Sequence, residues 1–150
     1  MSLFQNGRPF RQAIRREYRR DSGSVPVVAI QMQKAFQPTA FPLIVGKMDT
    51  GASRTVLTFE TARRLGMDDR VLSSDEEREK KPLHCANGVE IPYAEEQILV
   101  RISESNRTPP IVFYLDCAFS SAVKYNLFGM DFVETSCLVV DQEAVHFCIG

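Results

Sequence analysis

No stretch of this sequence approaches the roughly 18 consecutive apolar residues that a membrane-spanning helix requires, so a helical bilayer span is excluded. The first residues also lack the apolar core and small-residue cleavage site of a secretory signal, and a cytoplasmic protein is expected. Net charge is only −1, which suits a soluble globular protein. The four cysteines, Cys85, Cys117, Cys137 and Cys148, form no Cys-x-x-Cys pair. Thiols so widely spaced, in a reducing compartment, are expected to be buried and reduced rather than cross-linked or metal-bound. Histidine is scarce: His84 and His146 are the two, and with no ligand spacing neither is assigned a metal or a catalytic role. There is no internal repeat and no low-complexity tract. No metal and no cofactor are expected, and 150 residues suit one domain around one core.

Against that plain background Asp49-Thr50-Gly51-Ala52-Ser53 follows the apolar run Phe41-Pro42-Leu43-Ile44-Val45. A carboxylate carried out of an apolar strand on a tight turn is costly unless it is paired or used. The Thr50 hydroxyl can brace the turn through hydrogen bonds. Gly51 offers a backbone conformation closed to other residues and lets a second chain approach closely. Such a carboxylate suits amide hydrolysis by an acid pair, in which an ionised group takes a proton from water and a protonated one polarises the carbonyl. Two aspartates must meet for this chemistry. Asp-Thr-Gly alone is also an ordinary turn, so the flanking sequence carries the distinction.

Downstream, Arg54-Thr55-Val56-Leu57 reads as a short strand, Thr58 as the N-cap of a two-turn helix, and Gly66 as its stop. Much later, Tyr125-Asn126-Leu127-Phe128-Gly129-Met130-Asp131-Phe132-Val133 sets two apolar residues before a glycine and then opens a second helical turn. With these features in this order, the chain from about Val25 to Phe147 resembles the retropepsin-like aspartic proteases. Their signature is Asp-Thr/Ser-Gly-Ala, a following helical turn ending in Leu-Gly, and a hydrophobic-hydrophobic-Gly motif before a C-terminal helix. The resemblance implies an all-β fold, the retropepsin-like half-barrel with one or two short helices, active as a homodimer on a peptide or protein substrate. It implies that Asp49 is the catalytic carboxylate and that Thr50 and Gly51 support its loop, Thr50 by interlocking with its mate across the dimer axis. It further implies that the backbone of Ala52 and Ser53 lines the substrate cleft. Ser53 departs from the viral enzymes, where an acidic residue usually follows the alanine and holds substrate main chain.

Only one Asp-Thr-Gly is present, and Asp116, Asp131 and Asp141 lie in unrelated contexts. A two-lobed pepsin-like enzyme is thereby excluded. An active protease must borrow its second aspartate from another copy on a two-fold axis, which makes activity depend on protein concentration. The alternative is a non-proteolytic dimeric binding or regulatory module on the same fold.

Residues 1–24 are set apart by charge, since Arg8, Arg11, Arg15, Arg16, Arg19 and Arg20 are balanced only by Glu17 and Asp21. They are read as a solvated basic N-terminal arm or linker ahead of a protease-like domain at 25–150. The competing reading, a basic helix over Gln12–Arg20 for nucleic acid, anionic lipid or a partner, lacks interleaved aromatics and has little apolar face. Strands are expected at Val25–Met32, Gln97–Ile102 and Ile111–Leu115, with Phe119–Lys124 as a connector and a hairpin around Asp141-Gln142-Glu143. The mixed-charge segment 68–81 reads as an exposed loop. Asn87-Gly88 is a two-residue hairpin signal between strand-like flanks. By order in the family this hairpin would be the flap, with Ala86, Asn87, Gly88 and Val89 closing over bound peptide.

Overall fold

The computed structural model describes residues 4–5, 8–9, 12–17, 19–20, 25–35, 41–67, 83–84, 90–91, 94–103, 110–136, 139–140 and 144–149. Strands β1 (Phe4–Gln5), β2 (Arg8–Pro9), β3 (Gln12–Glu17) and β4 (Arg19–Arg20) lead into the longer β5 (Pro26–Lys34) and β6 (Leu43–Met48). β7 (Val56–Thr58) runs straight into helix α1 (Phe59–Arg64), and β8 (Leu83–His84) and β9 (Glu90–Ile91) follow. Then come β10 (Ala94–Ile102), β11 (Ile111–Ser120), β12 (Leu127–Phe128), helix α2 (Met130–Ser136), β13 (Val139–Val140) and β14 (Ala144–Ile149). Among the described residues no helix is long and apolar enough to cross a membrane.

The strands follow from alternation. In β6, Ile44, Gly46 and Met48 are buried while Leu43 and Val45 are exposed, the period of a strand with one face on a core. Val28, Ile30 and Met32 of β5 and Ile98, Val100 and Ile102 of β10 repeat the pattern. The main sheet runs β10-β11-β7-β12-β6-β5-β4, and β10 also pairs with β5, so the sheet curls until it closes on itself. Closure leaves the apolar faces pointing inward, where Phe119, Phe128, Phe132, Leu57 and Ile44 are fully buried. Phe132 of α2 stacks on Phe128 at 4.9 Å and meets Phe113 edge-on at 5.8 Å. Burying each such ring stabilises the fold by roughly 1.5–3 kcal/mol, so α2 is pinned over the sheet rather than held by its own short ladder.

Helix α1 begins and ends where the residue chemistry dictates. The Thr58 hydroxyl accepts from the Thr61 N–H at 3.1 Å, an N-cap bond. Gly66 takes φ 82°, and the Met67 N–H closes back on the Ala62 carbonyl at 3.0 Å, the left-handed glycine stop of a helix end.

Two segments depart from the expectations. β11 continues through Ser120 instead of ending at Leu115, because β7 pairs with it in parallel at Ala118–Ser120. Residues 12–17 are neither a helix nor a solvated arm: β3 pairs antiparallel with β14 along its whole length, from Gln12↔Ile149 to Glu17↔Ala144, and Ile14 is fully buried. The pairing is the physical reason, since a partner strand satisfies the backbone of a segment whose composition reads as solvent-facing. The C-terminal hairpin forms as expected, with Val139↔His146 and Val140↔Val145. Leu83 and His84 pair antiparallel with Ile91 and Glu90, but Ala86, Asn87, Gly88 and Val89, like the expected loop 68–81, lie outside the described residues.

Candidate active site

Asp49 sits one residue beyond β6, at the point where the strand turns. Its N–H donates to the Phe128 carbonyl at 2.9 Å, and its own carbonyl accepts from the Ala52 N–H at 3.2 Å. The first ties the turn to β12, which lies parallel to β6 with Phe128 opposite Met48, and the second closes the turn on itself. The carboxylate bends back over the loop, where Oδ1 accepts the Gly51 N–H at 3.0 Å. Asp49 and Ala52 are half-buried; Thr50, Gly51 and Ser53 are exposed. All five expected loop residues are therefore at one turn. One of the two expected reasons for Gly51, backbone freedom, is corrected: among the described glycines only Gly66 has a positive φ, and within this chain a Cβ on Gly51 would meet only Asp49 Oδ1, at 3.2 Å. Gly51 serves here as a donor to the carboxylate.

The second layer comes from the Leu127-Phe128-Gly129 motif. Phe128 is fully buried and Leu127 half-buried, so the motif supplies the floor of the loop. Gly129 has no room for a side chain: a Cβ there would lie 2.4 Å from the Arg54 carbonyl oxygen and 2.8 Å from that of Ala52. This close approach lets the start of α2 donate to the loop, Met130 N–H to Ala52 O at 2.8 Å and Asp131 N–H to Ser53 O at 3.3 Å. Thr55, fully buried, joins the layers: its hydroxyl donates to Asp131 Oδ1 at 2.8 Å and accepts the buried Gly129 N–H at 3.2 Å.

Asn126 performs the matching task on the other flank. Its Oδ1 accepts from the Thr58 N–H and the Thr61 hydroxyl, both at 2.9 Å, while Nδ2 donates to the Val45 carbonyl at 2.9 Å. Asp131, Thr55 and Asn126 were not singled out from the sequence as site residues. The available signal was their position, polar residues directly flanking a hydrophobic-hydrophobic-Gly motif or following the aspartate loop.

Beside the loop, Arg54 Nη2 donates to Glu95 Oε2 at 2.8 Å and to the Asp116 carbonyl at 3.2 Å. The pair is partly exposed, so its net contribution is about 0–1 kcal/mol. A shallow open depression of about 410 Å³ is lined by Arg54, Glu95, Tyr114, Leu115, Asp116 and Asp131; Asp49 lies outside it. Beneath, Cys117 is a fully buried free thiol. Burial, and next the Asp131 carboxylate, push its pKa well above the ordinary thiol range.

The architecture has known counterparts. A retropepsin-like aspartic protease from Rickettsia conorii superposes with a TM-score of 0.63 at 19% identity, covering 92% of this chain and 92% of its own. The chain has a retropepsin-like fold. The retroviral protease-like domain of Ddi1 from Leishmania major aligns over 77% of this chain and 82% of its own, at 13% identity and a TM-score of 0.44. No protein-family model matches the sequence, and no curated protein is significantly similar to it. In this retropepsin-like fold Asp49-Thr50-Gly51 occupies the turn after β6, and Leu127-Phe128-Gly129 lies directly beneath it.

Proposed function

We propose that the chain is an aspartic endopeptidase of retropepsin type, acting as a homodimer in which Asp49 meets Asp49 of a second copy. The observation that carries this reading is the held but solvent-reaching carboxylate: Asp49 is fixed through its backbone to Phe128 and Ala52 and lightly bonded through Oδ1 to Gly51. Among the described residues Oδ1 accepts the Gly51 N–H and Oδ2 has no hydrogen-bond partner, which is compatible with a carboxylate used in chemistry.

Two carboxylates about 3 Å apart cannot both ionise, so the pair retains one proton. The ionised member takes a proton from water as the water oxygen bonds to the scissile carbonyl carbon. The protonated member gives its proton to the carbonyl oxygen, and the resulting gem-diol collapses with proton transfer to the leaving amine. Thr50, exposed at the turn, is suited to bond across the two-fold axis. Ala52 and Ser53 would present backbone to an extended peptide, with Ala86, Asn87, Gly88 and Val89 closing above it.

Asp49→Asn tests the reading. It should retain fold and dimer while cleavage of any peptide hydrolysed by the wild type falls to background. Equal cleavage by purified Asp49→Asn protein would overturn the assignment, and a wild type that binds peptide without hydrolysis would favour the binding module.

A further inference from the structure

Arg54 stands at the C-terminal end of the aspartate loop, two residues before β7. On one side the loop is held by backbone, with the Met130 N–H donating to the Ala52 carbonyl and the Asp131 N–H to that of Ser53. On the other side the ladder with β11 begins at the Thr55 carbonyl, which accepts the Ala118 N–H at 3.1 Å, and ahead of it the Arg54 side chain carries the connection. Val56, Ala118 and Glu95 stand opposite one another across β7, β11 and β10, and strands spaced about 4.8 Å apart put β10 roughly 10 Å from β7. The guanidinium bridges that gap. Its Nη2 donates to the Asp116 carbonyl of β11 at 3.2 Å and to Glu95 Oε2 of β10 at 2.8 Å. One end group thus joins the loop to two strands, the second through a charge-assisted bond. Asp49 is held separately, by its N–H to Phe128 and its carboxylate to Gly51, so the arginine acts on the stretch that follows the acid.

We propose that Arg54, acting through Glu95, is a positioning residue for substrate binding, which fixes the Ala52-Ser53 backbone where it meets an extended peptide. The inference rests on the reading of Asp49 as the hydrolytic acid and of Ala52 and Ser53 as backbone lining the cleft. A loop end tied to the elements on both sides keeps its amide and carbonyl groups pre-set, and the incoming peptide does not have to order them. A partly exposed ion pair adds little to the stability of the fold, whereas a displacement of about 1 Å in a group that aligns substrate is costly.

A quenched-fluorescent decapeptide, chosen by cleavage from a mixed-sequence library, is the probe. Arg54→Met and Glu95→Ala should each raise KM about two- to fivefold, the size a partly exposed ion pair supports. The kcat should stay within about twofold of wild type, because uniform binding is lost while Asp49 keeps its own bonds. The double variant should match the single ones, since all three remove the same interaction. Glu95→Gln keeps an oxygen for the guanidinium and should recover part of the loss. In urea, the unfolding midpoint of each variant should stay within about 0.5 M of wild type. Unchanged KM in both single variants, losses that multiply in the double variant, or a KM rise that comes with a larger midpoint shift overturns this inference and leaves the protease reading intact. If no peptide of the library is hydrolysed, the protease reading and the inference fall together.

Discussion

Asn126 and Asp131 stand on either side of the Leu127-Phe128-Gly129 segment, and each reaches across to a threonine near β7, yet their chemistry differs. Asn126 accepts from the Thr58 N–H and the Thr61 hydroxyl and also donates to the Val45 carbonyl. The Asp131 carboxylate only accepts, from the Thr55 hydroxyl at 2.8 Å and from the Phe132 N–H at 2.7 Å. An amide is required where donors and an acceptor converge on one side chain; a carboxylate suffices where every neighbour donates. The first clamp positions β6 and α1 together, and the second positions the aspartate loop against α2. The site is thus built by two cross-links with non-interchangeable end groups.

The largest effect is expected where the second clamp has no slack. Gly129→Ala would drive a methyl to 2.4 Å from the Arg54 carbonyl oxygen, and rigid backbone on both sides makes a loss of about 3 kcal/mol or more in denaturant unfolding the expected outcome. A loss under about 1 kcal/mol would mean that α2 can retreat from the loop. Thr55→Val comes next. It keeps shape but leaves the buried Gly129 N–H without its acceptor, an unmet donor that costs about 2 kcal/mol. Activity should fall with it, because the start of α2, which donates to Ala52 and Ser53, loses its side-chain tie to Thr55.

Swapping the end groups sharpens the comparison. Asn126→Asp removes the donor to the Val45 carbonyl and is expected to cost about 1–2 kcal/mol. Asp131→Asn keeps an oxygen for Thr55 and exchanges a charged acceptor for a neutral one, at a cost of about 1 kcal/mol or less. Equal losses in the two variants would show that the flanks are bonded alike and that the distinction drawn here is empty.

How much of this was legible in the sequence depends on range. Thr58 as N-cap and Gly66 as stop are local rules, and each is obeyed in the structure. The aspartate turn and the Leu-Phe-Gly motif were also readable, because both are short and carry their own turn chemistry. The bond between Thr55 and Asp131 joins residues 76 apart, and nothing in either neighbourhood announces the other. β3 was misread for the same reason: its composition is rich in arginine, and its strand state exists only because β14, at the far end of the chain, pairs with it. Gly51 failed differently. Its residue type suggested backbone freedom, and the structure uses its N–H.

Cys117 separates the two flanks once more, through charge. Its thiol pKa is raised, first by burial and next by the Asp131 carboxylate, whereas neutral Asn126 exerts no such charge. In the ordinary thiol range the unfolded chain loses this proton and the folded chain keeps it, so the unfolded state binds fewer protons and stability falls as pH rises. Below that range both states hold the proton and the effect vanishes. Measured as the difference between wild type and Cys117→Ala in urea unfolding, the change from pH 7 to pH 9 should be a relative loss of about 0.4–0.8 kcal/mol for wild type. Burial being the larger cause, Asp131→Asn should leave this loss in place, since the thiol stays protonated in the folded state across that window. If the difference does not change between the two pH values, the thiol ionises equally in both states and its burial beneath the site is not as described. If Asp131→Asn alone removes the change, the carboxylate rather than the apolar packing governs the thiol, and the second clamp acts on its surroundings as a charge as well as a hydrogen-bond acceptor.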